Sequence, residues 1–600
     1  MGTLQAITAP DKSIAVLPFV NMSAEPDNEY FSDGITEEII NALTRIPRLK
    51  VIARTSSFAF KNQNIDIRTI GRKLGVSTIL EGSVRRAKNR VRITAQLINA
   101  GDGTHFWSKN YNRELEDIFH LQDEISELIA DQIRENFGHL ELPFFPHAIP
   151  TGSIEAYELL MKGNYFLRRK DFDDIRRALE LFKQSIQLDP QYSEAWSALG
   201  EAYIHAAGFG MLTTREAHEL ARQAAEKAVA LKEQNAQGHK VLAFIRLFYD
   251  WDWEQALAEY EKAVANGLPD QNEFITYYYI FIEKDYDRAI RVAQKAVETD
   301  PLHVITHWQL GLACYFARRF EQAADAFSVA LDIDPGFGEA LRFRGLVRGY
   351  LGRFEEALKD INQALELSGG QGLANLDLLV VKLLMGQKEE VLAAVNQTAF
   401  VDSSDPAFLY ALMNRPDEAI FWLEKAYEER SVMLVSLKNY WIWDNIRQAP
   451  RFQEICARMN FPATRNSPVA AAPGVNPDQP ALLTGKETAY YLGELDRWVR
   501  TEELFADPAL SLRSLAEKMA LHPNKLSWLL NEQIGKNFNE YINGFRLEAF
   551  KVKALDPANS HLTLLGLAYD SGFNSKTVFN ASFKKMEGMT PRAWVKMKKF

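Results

Sequence analysis

Asparagine, lysine, serine and threonine at helical spacing can pair with base edges and phosphates, and residues 511–600 carry two such sets. In the first, Asn524, Lys525, Ser527, Trp528 and Asn531 are left over once Leu526, Leu529 and Leu530 are assigned to the interior. In the second, Ser575, Lys576, Thr577, Asn580 and Ala581 are left over beside the apolar Val578, Phe579 and Phe583. Lysine suits a guanine edge and asparagine an adenine edge. Lys525, Lys536, Lys584 and Lys585 suit phosphates instead, contacts that position a protein on DNA without specifying sequence.

The elements that must position these side chains are legible around them. Ser511 is a good cap for a helix with Leu512, Leu515, Ala516 and Met519 on one face, and His522-Pro523-Asn524 turns the chain into a second helix. A bridging helix starts at Asn537. Thr563 then caps a helix with Leu564, Leu567 and Ala568 inside, and Gly572-Phe573-Asn574 makes the next turn. Two helix-turn-helix units on a stiff connector can place two recognition helices in successive major grooves, roughly 34 Å apart.

Ala568, Gly572, Phe573, Phe579, Phe583, Lys584, Lys585, Gly588, Thr590 and Pro591 resemble the signature of the AraC/XylS family of bacterial transcription regulators. The resemblance covers about the last 110 residues. It implies promoter binding, with base-reading positions at Asn524, Ser527, Trp528, Lys576, Thr577, Asn580 and Ala581. Ala581 stands where relatives often carry a polar or basic reader. Trp528 has two readings, a groove contact or packing against the bridging helix.

Charge is partitioned along the chain. The whole carries 69 Lys+Arg against 79 Asp+Glu, a net of −10. Residues 511–600 hold 14 Lys+Arg and 7 Asp+Glu, so this segment is +7 and the preceding 510 residues are −17. A basic module on an acidic body is the electrostatic footprint of a DNA binder. The length of 600 residues predicts several domains, and 47% apolar with 25% charged residues is ordinary for globular protein. With Cys314 and Cys456 alone, no disulfide framework is expected, and no apolar run is long enough to span a membrane. A cytoplasmic protein is the expectation.

Residues 153–461 are repetitive. Gly311, Ala323, Phe327, Ala330 and Pro335 recur 34 residues on as Gly345, Ala357, Ile361, Ala364 and Gly369. Looser copies lie around Trp196, Ala178–Pro190 and Ala289–Pro301. This resembles tetratricopeptide repeats, which implies about seven helix pairs and a groove for a protein or peptide partner. A spacer or dimerisation surface is the plainer reading. The stretch from Pro416 begins as a repeat and is expected to end as a polar-faced cap. Residues 462–485, rich in proline and alanine, read as an extended linker before a carboxyl-terminal domain at 486–600.

Residues 1–140 read as an α/β unit: a strand at Ile14, a helix from Ser32, a strand from Leu49 through Arg54, a helix from Asp66 to Gly75, then an antiparallel meander. Alternation of Val91, Ile93, Ala95 and Leu97 with polar residues marks its central strand. A long helix is expected from about Leu115 to Phe137. The stretches Ile14-AVLPF, Phe31-SDGITEEI, Ala53-RTSSFAFK and Leu80-EGSVRR resemble the TolB-like domain that precedes such repeats in bacterial regulators and cyclase-associated proteins. Arg54, Ser56 and Ser57, beyond a strand end, form a candidate ligand site.

The fold class is therefore multidomain: an α/β amino-terminal domain, an all-α repeat solenoid and an all-α tandem helix-turn-helix domain. Nothing names a catalytic residue: the chain has no phosphate loop, no His-Glu-x-x-His and no paired-cysteine zinc spacing. No metal or cofactor is expected. The expected partners are double-stranded promoter DNA, RNA polymerase, a protein or peptide in the repeat groove, and a second copy in a homodimer, with no membrane. The alternative function is an interaction scaffold localised to DNA by its helix-turn-helix module.

Overall fold

The computed structural model describes residues 12–23, 28–46, 48–87, 90–114, 125, 129, 131–132, 135, 151–168, 172–208, 211–270, 272–368, 373–398, 400, 402–461, 483–559 and 561–598. The linker expected at 462–485 lies almost entirely outside these residues, as does most of the helix expected at 115–137. The chain divides into two compact units, residues 1–148 with 470–600, and residues 149–469, each described by itself.

Residues 12–114 form a mixed sheet with strand order β3-β1-β4-β5-β6. Strands β1 (Ser13–Val16) and β3 (Lys50–Val51) run parallel, and β1 also pairs in parallel with β4 (Thr78–Ala87). Strand β2 (Val20–Asn21) continues alongside β4. Strands β4, β5 (Arg90–Asn99) and β6 (His105–Glu114) form the antiparallel meander. Val91, Ile93, Ala95 and Leu97 are all fully buried, so the period-2 alternation points its apolar side inward. Helix α1 (Glu29–Thr44) covers the sheet with Phe31, Ile35, Ile39 and Leu43. Helix α3 (Ile67–Leu74) is capped by the Asp66 carboxylate and stopped by Gly75 in the left-handed region. The strand expected through Arg54 is shorter than that. Its ladder with the four-residue β1 ends at Val51, and Arg54 opens a short helix, α2 (Arg54–Phe58).

Among the described residues of 149–469 there are eight helix pairs, one more than the repeat count suggests. They begin at Ile154, Ser193, Ala236, Glu273, Val304, Gly338, Leu373 and Ser404, and end with Pro416–Glu428. The third and fourth pairs blur the 34-residue period. Their first helices end in π turns, at Arg246–Asp250 and Tyr279–Glu283, each closed by a non-glycine left-handed residue, Trp251 and Lys284. The repeat positions have a direct physical cause. A Cβ on Gly311 would lie 2.5 Å from the Phe327 ring, and one on Gly345 2.6 Å from Ile361. In these two repeats the glycine therefore seats the large residue sixteen positions later, and buried alanines (Ala323, Ala330, Ala357, Ala364) let the paired helices approach.

The end of this unit is not the polar cap expected. Residues 430–461 fold back along earlier repeats. Asn439 donates to the Phe281 and Ile282 carbonyls at 2.7 and 3.1 Å, inside the second π turn. Arg430 donates to the Tyr249 carbonyl in the first π turn. Trp253 donates to the Met459 carbonyl at 3.1 Å and stacks on Phe461, and the Tyr315 and Tyr440 hydroxyls bond at 2.6 Å. Leu434, Ile442 and Trp443 are buried there.

The carboxyl-terminal part opens with helix Gly485–Asp496, started by a Thr484/Glu487 capping box. Six helices follow: α4 (Leu512–Lys518), α5 (Pro523–Trp528), α6 (Phe538–Leu555), α7 (Leu564–Tyr569), α8 (Lys576–Glu587) and α9 (Pro591–Lys598). One apolar cluster is built on Leu515, Leu526 and Leu530, the other on Phe550, Phe573, Phe579 and Phe583, with α6 entering both.

Candidate nucleic-acid interface

Helices α4–α5 and α7–α8 are the same construction repeated 52 residues apart. Ser511 accepts from the Ser514 amide as Thr563 accepts from the Gly566 amide. The turn is closed by the Leu521 amide donating to Ala516 in one unit and the Phe573 amide donating to Ala568 in the other, at 2.9 and 3.1 Å. Its left-handed residue is Ala520 (φ 48) in the first and Gly572 (φ 95) in the second.

Arg546, on the bridging helix α6, reaches back to the segment leading into the first unit. It donates to the Phe505 carbonyl at 2.7 Å and to the Asp507 carbonyl at 2.8 Å, and burial draws its pKa down to about 10. It stays charged at neutral pH. The Asn574 side chain, in the second turn, donates to the Pro508 carbonyl in the same segment. These bonds tie the bridging helix and the second turn to the segment that approaches the first unit.

On α8, Lys576, Asn580, Ala581 and Lys584 are exposed along one face, while Phe579 and Phe583 fill the core opposite. The Thr577 side chain lies outside the described residues. On α5, Asn524, Lys525 and Trp528 are half-buried. Ser527 departs from the sequence expectation: it is 2% exposed and cannot reach a groove. The 52-residue offset supplies the reason, since Ser527 occupies the position of the core residue Phe579. That offset is itself legible in the sequence and would have removed Ser527 from the reading face. The same equivalence aligns Asn524 with Lys576, Lys525 with Thr577 and Trp528 with Asn580, so Lys525 takes a position first assigned to a base reader. Trp528 packs against the first unit's core while remaining partly accessible.

The four phosphate candidates divide. Lys584 and Lys536 are exposed. Lys585 is bound to Glu540 of the bridging helix at 2.5 Å, so its charge is matched within the protein. Lys525 is only partly exposed.

The candidate ligand site of the amino-terminal unit is more closed than expected. Ser56 and Ser57 are fully buried. Arg54 faces Glu37 at 3.4 Å and Asp33 at 4.0 Å and lies 3.7 Å from the Phe58 ring centre, while Lys61 pairs with Glu29 and Asp33. Burial raises the Asp33 pKa against the pull of Lys61 and Arg54. The cations beyond this strand end are thus engaged by carboxylates. In the repeats, Tyr278 is buried, and Tyr277 and Trp308 pack against the main core. Among the described residues no group of three or more His, Cys, Asp or Glu could hold a metal ion, and no helix is long and apolar enough to cross a membrane.

A helix-turn-helix pair and a tetratricopeptide solenoid are the two classes this architecture defines, and comparison with known proteins gives the same two. Residues 515–597 match the helix-turn-helix domain family, and residues 160–236 and 284–336 match the tetratricopeptide repeat family. "Putative adenylate cyclase 3" of Rhizobium meliloti (strain 1021) is 38% identical over 256 residues, 42% of this chain and 42% of that protein. Transcriptional regulator HilA of Salmonella typhimurium is 24% identical over 152 residues, 25% of this chain and 27% of that protein. The chain thus spans less than half the length of each curated relative. Among solved structures, YrrB, described as a TPR protein with an unusual peptide-binding site, is 18% identical with a TM-score of 0.23, covering 32% of this chain and 95% of that one.

Proposed function

We propose that the chain is an AraC-type DNA-binding transcription regulator that reads promoter DNA through α5 and α8. Its repeats and its TolB-like α/β unit receive a signal or a protein partner. The observation that carries this reading is the exposed Lys576, Asn580, Ala581 and Lys584 face of α8, joined to α5 through the bridging helix α6, which enters the cores of both units. Selection of bound fragments from a bacterial genomic library by the full chain at moderate salt tests it. An enriched motif with two half-sites about one helical turn apart is expected. Recovery of random sequence would overturn the reading.

Substitutions on the two recognition helices sort the roles. Lys576→Ala with Asn580→Ala should relax preference at one half-site, at about 1–3 kcal/mol per lost base contact. Lys584→Ala should weaken all DNA alike, and Ser527→Ala should change no base preference. Equal losses on specific and random DNA for the first pair would count against those assignments.

The chemistry we assign is binding rather than catalysis. The likeness to a protein named as an adenylate cyclase motivates a second reading, with a direct measurement: conversion of ATP to cyclic AMP by the full chain above background would favour it.

A further inference from the structure

The first helix-turn-helix unit is engaged by carboxylates from the amino-terminal part of the chain. In the stretch between the sheet and the repeats, the described residues Ile125, Ile129, Asp131, Gln132 and Glu135 are helical, and all but Gln132 are buried. Glu135 accepts from the Leu512 amide, the first of α4, at 2.9 Å. Asp131 pairs with Arg513 at 3.2 Å. Gln132 donates to the other Glu135 oxygen at 3.0 Å, fixing the carboxylate. Asp131 and Glu135 are 5% and 7% exposed, a costly burial of two carboxylates unless both are matched.

Arg513 and the Leu512 amide belong to α4, the first helix of this unit. In helix-turn-helix docking the first helix crosses the DNA backbone, and arginines and backbone amides take the phosphates. A carboxylate and a phosphate oxygen compete for the same donors. We infer that Asp131 and Glu135 form an autoinhibitory contact, standing in for DNA phosphates on the first unit and holding it from DNA until the contact is released. This rests on the DNA-binding reading above. The second unit carries Leu565 where the first carries Arg513, so the device acts on one half-site.

The experiment compares the full chain with Asp131→Ala/Glu135→Ala and with the volume-preserving Asp131→Asn/Glu135→Gln. Affinity is measured on a random-sequence duplex of two helical turns, together with hydrogen exchange of peptides spanning residues 125–135. Both variants should bind roughly tenfold tighter than the parent, within the range usual for coupled sites. In the parent, DNA should accelerate exchange across 125–135. Equal affinities for the parent and both variants, or an exchange rate in 125–135 unmoved by saturating DNA, would overturn the inference while leaving DNA binding intact. A failure of all three chains to bind any duplex would instead overturn the DNA-binding reading and the inference with it. If the alanine variant fails to fold, the Asn/Gln variant decides the same question.

Discussion

Ala520 and Gly572 sit at the same turn of the two helix-turn-helix units and solve one backbone problem differently. Both need the left-handed region, which costs a residue with a Cβ about 1–2 kcal/mol. At Gly572 a Cβ would also lie 2.4 Å from the Phe505 carbonyl oxygen and 2.9 Å from the Ala506 Cα, both backbone and unable to swing away. Gly572→Ala should therefore cost about 2–5 kcal/mol, the sum of the conformational and overpacking penalties. Ala520→Gly should stabilise the first unit by about 0.5–1 kcal/mol, since relief of strain exceeds the added chain entropy. Hydrogen exchange of α4–α8 amides in the full chain reads both, and effects of equal sign would contradict this account.

Asp405 poses a different residue-scale test. Burial, then the neighbouring Asp402, raises its pKa to about 7, against a weaker pull from Arg342. The folded state holds that proton more tightly than the unfolded chain, so the group's contribution is favourable at low pH and is lost as pH rises toward about 7. Asp405→Asn should raise the melting temperature of the repeats more at pH 8 than at pH 5, because the loss begins at the unfolded carboxylate's pKa and is complete only near pH 7. A uniform shift at both pH values would mean the charge is not the cause.

At the scale of elements, the repeats show what periodicity transmits. Gly311 with Phe327, and Gly345 with Ile361, are local pairs inside one helix hairpin, so their spacing is written in the sequence and their contact follows. The fold-back of residues 430–461 is not written there, because its anchors lie 125 to 206 residues away, as between Tyr440 and Tyr315, Asn439 and Phe281, or Met459 and Trp253. A stretch rich in tryptophan and tyrosine after the last hairpin could only be read as a divergent end. Ser527 shows the same limit at the interface: helix geometry alone leaves a small polar residue on either face, and only comparison with Phe579 assigns it to the core. Asn439→Ala removes two hydrogen bonds to buried carbonyls of a π turn. It should cost about 1–3 kcal/mol in urea unfolding of the full chain. A change under a few tenths would show that water substitutes for the amide.

For the whole molecule, the decisive property is the opposition between a +7 carboxyl-terminal segment and a −17 remainder. Net repulsion from the body falls off over a Debye length of about 10 Å at 0.1 M salt, whereas phosphate contacts made by individual lysines release counterions wherever the body lies. Salt titration separates the two. Contacts by Lys525, Lys536 and Lys584 alone imply a slope of log K against log salt of about −2.7, so a rise from 0.1 to 0.2 M salt should weaken binding roughly sixfold. Because Lys585 is already matched by Glu540, Lys585→Ala should leave that slope nearly unchanged, whereas Lys584→Ala should flatten it by about 0.9. Should the two variants flatten it equally, the Glu540 pair must open on DNA, and the bridging helix would then be part of the DNA-binding surface rather than only its support.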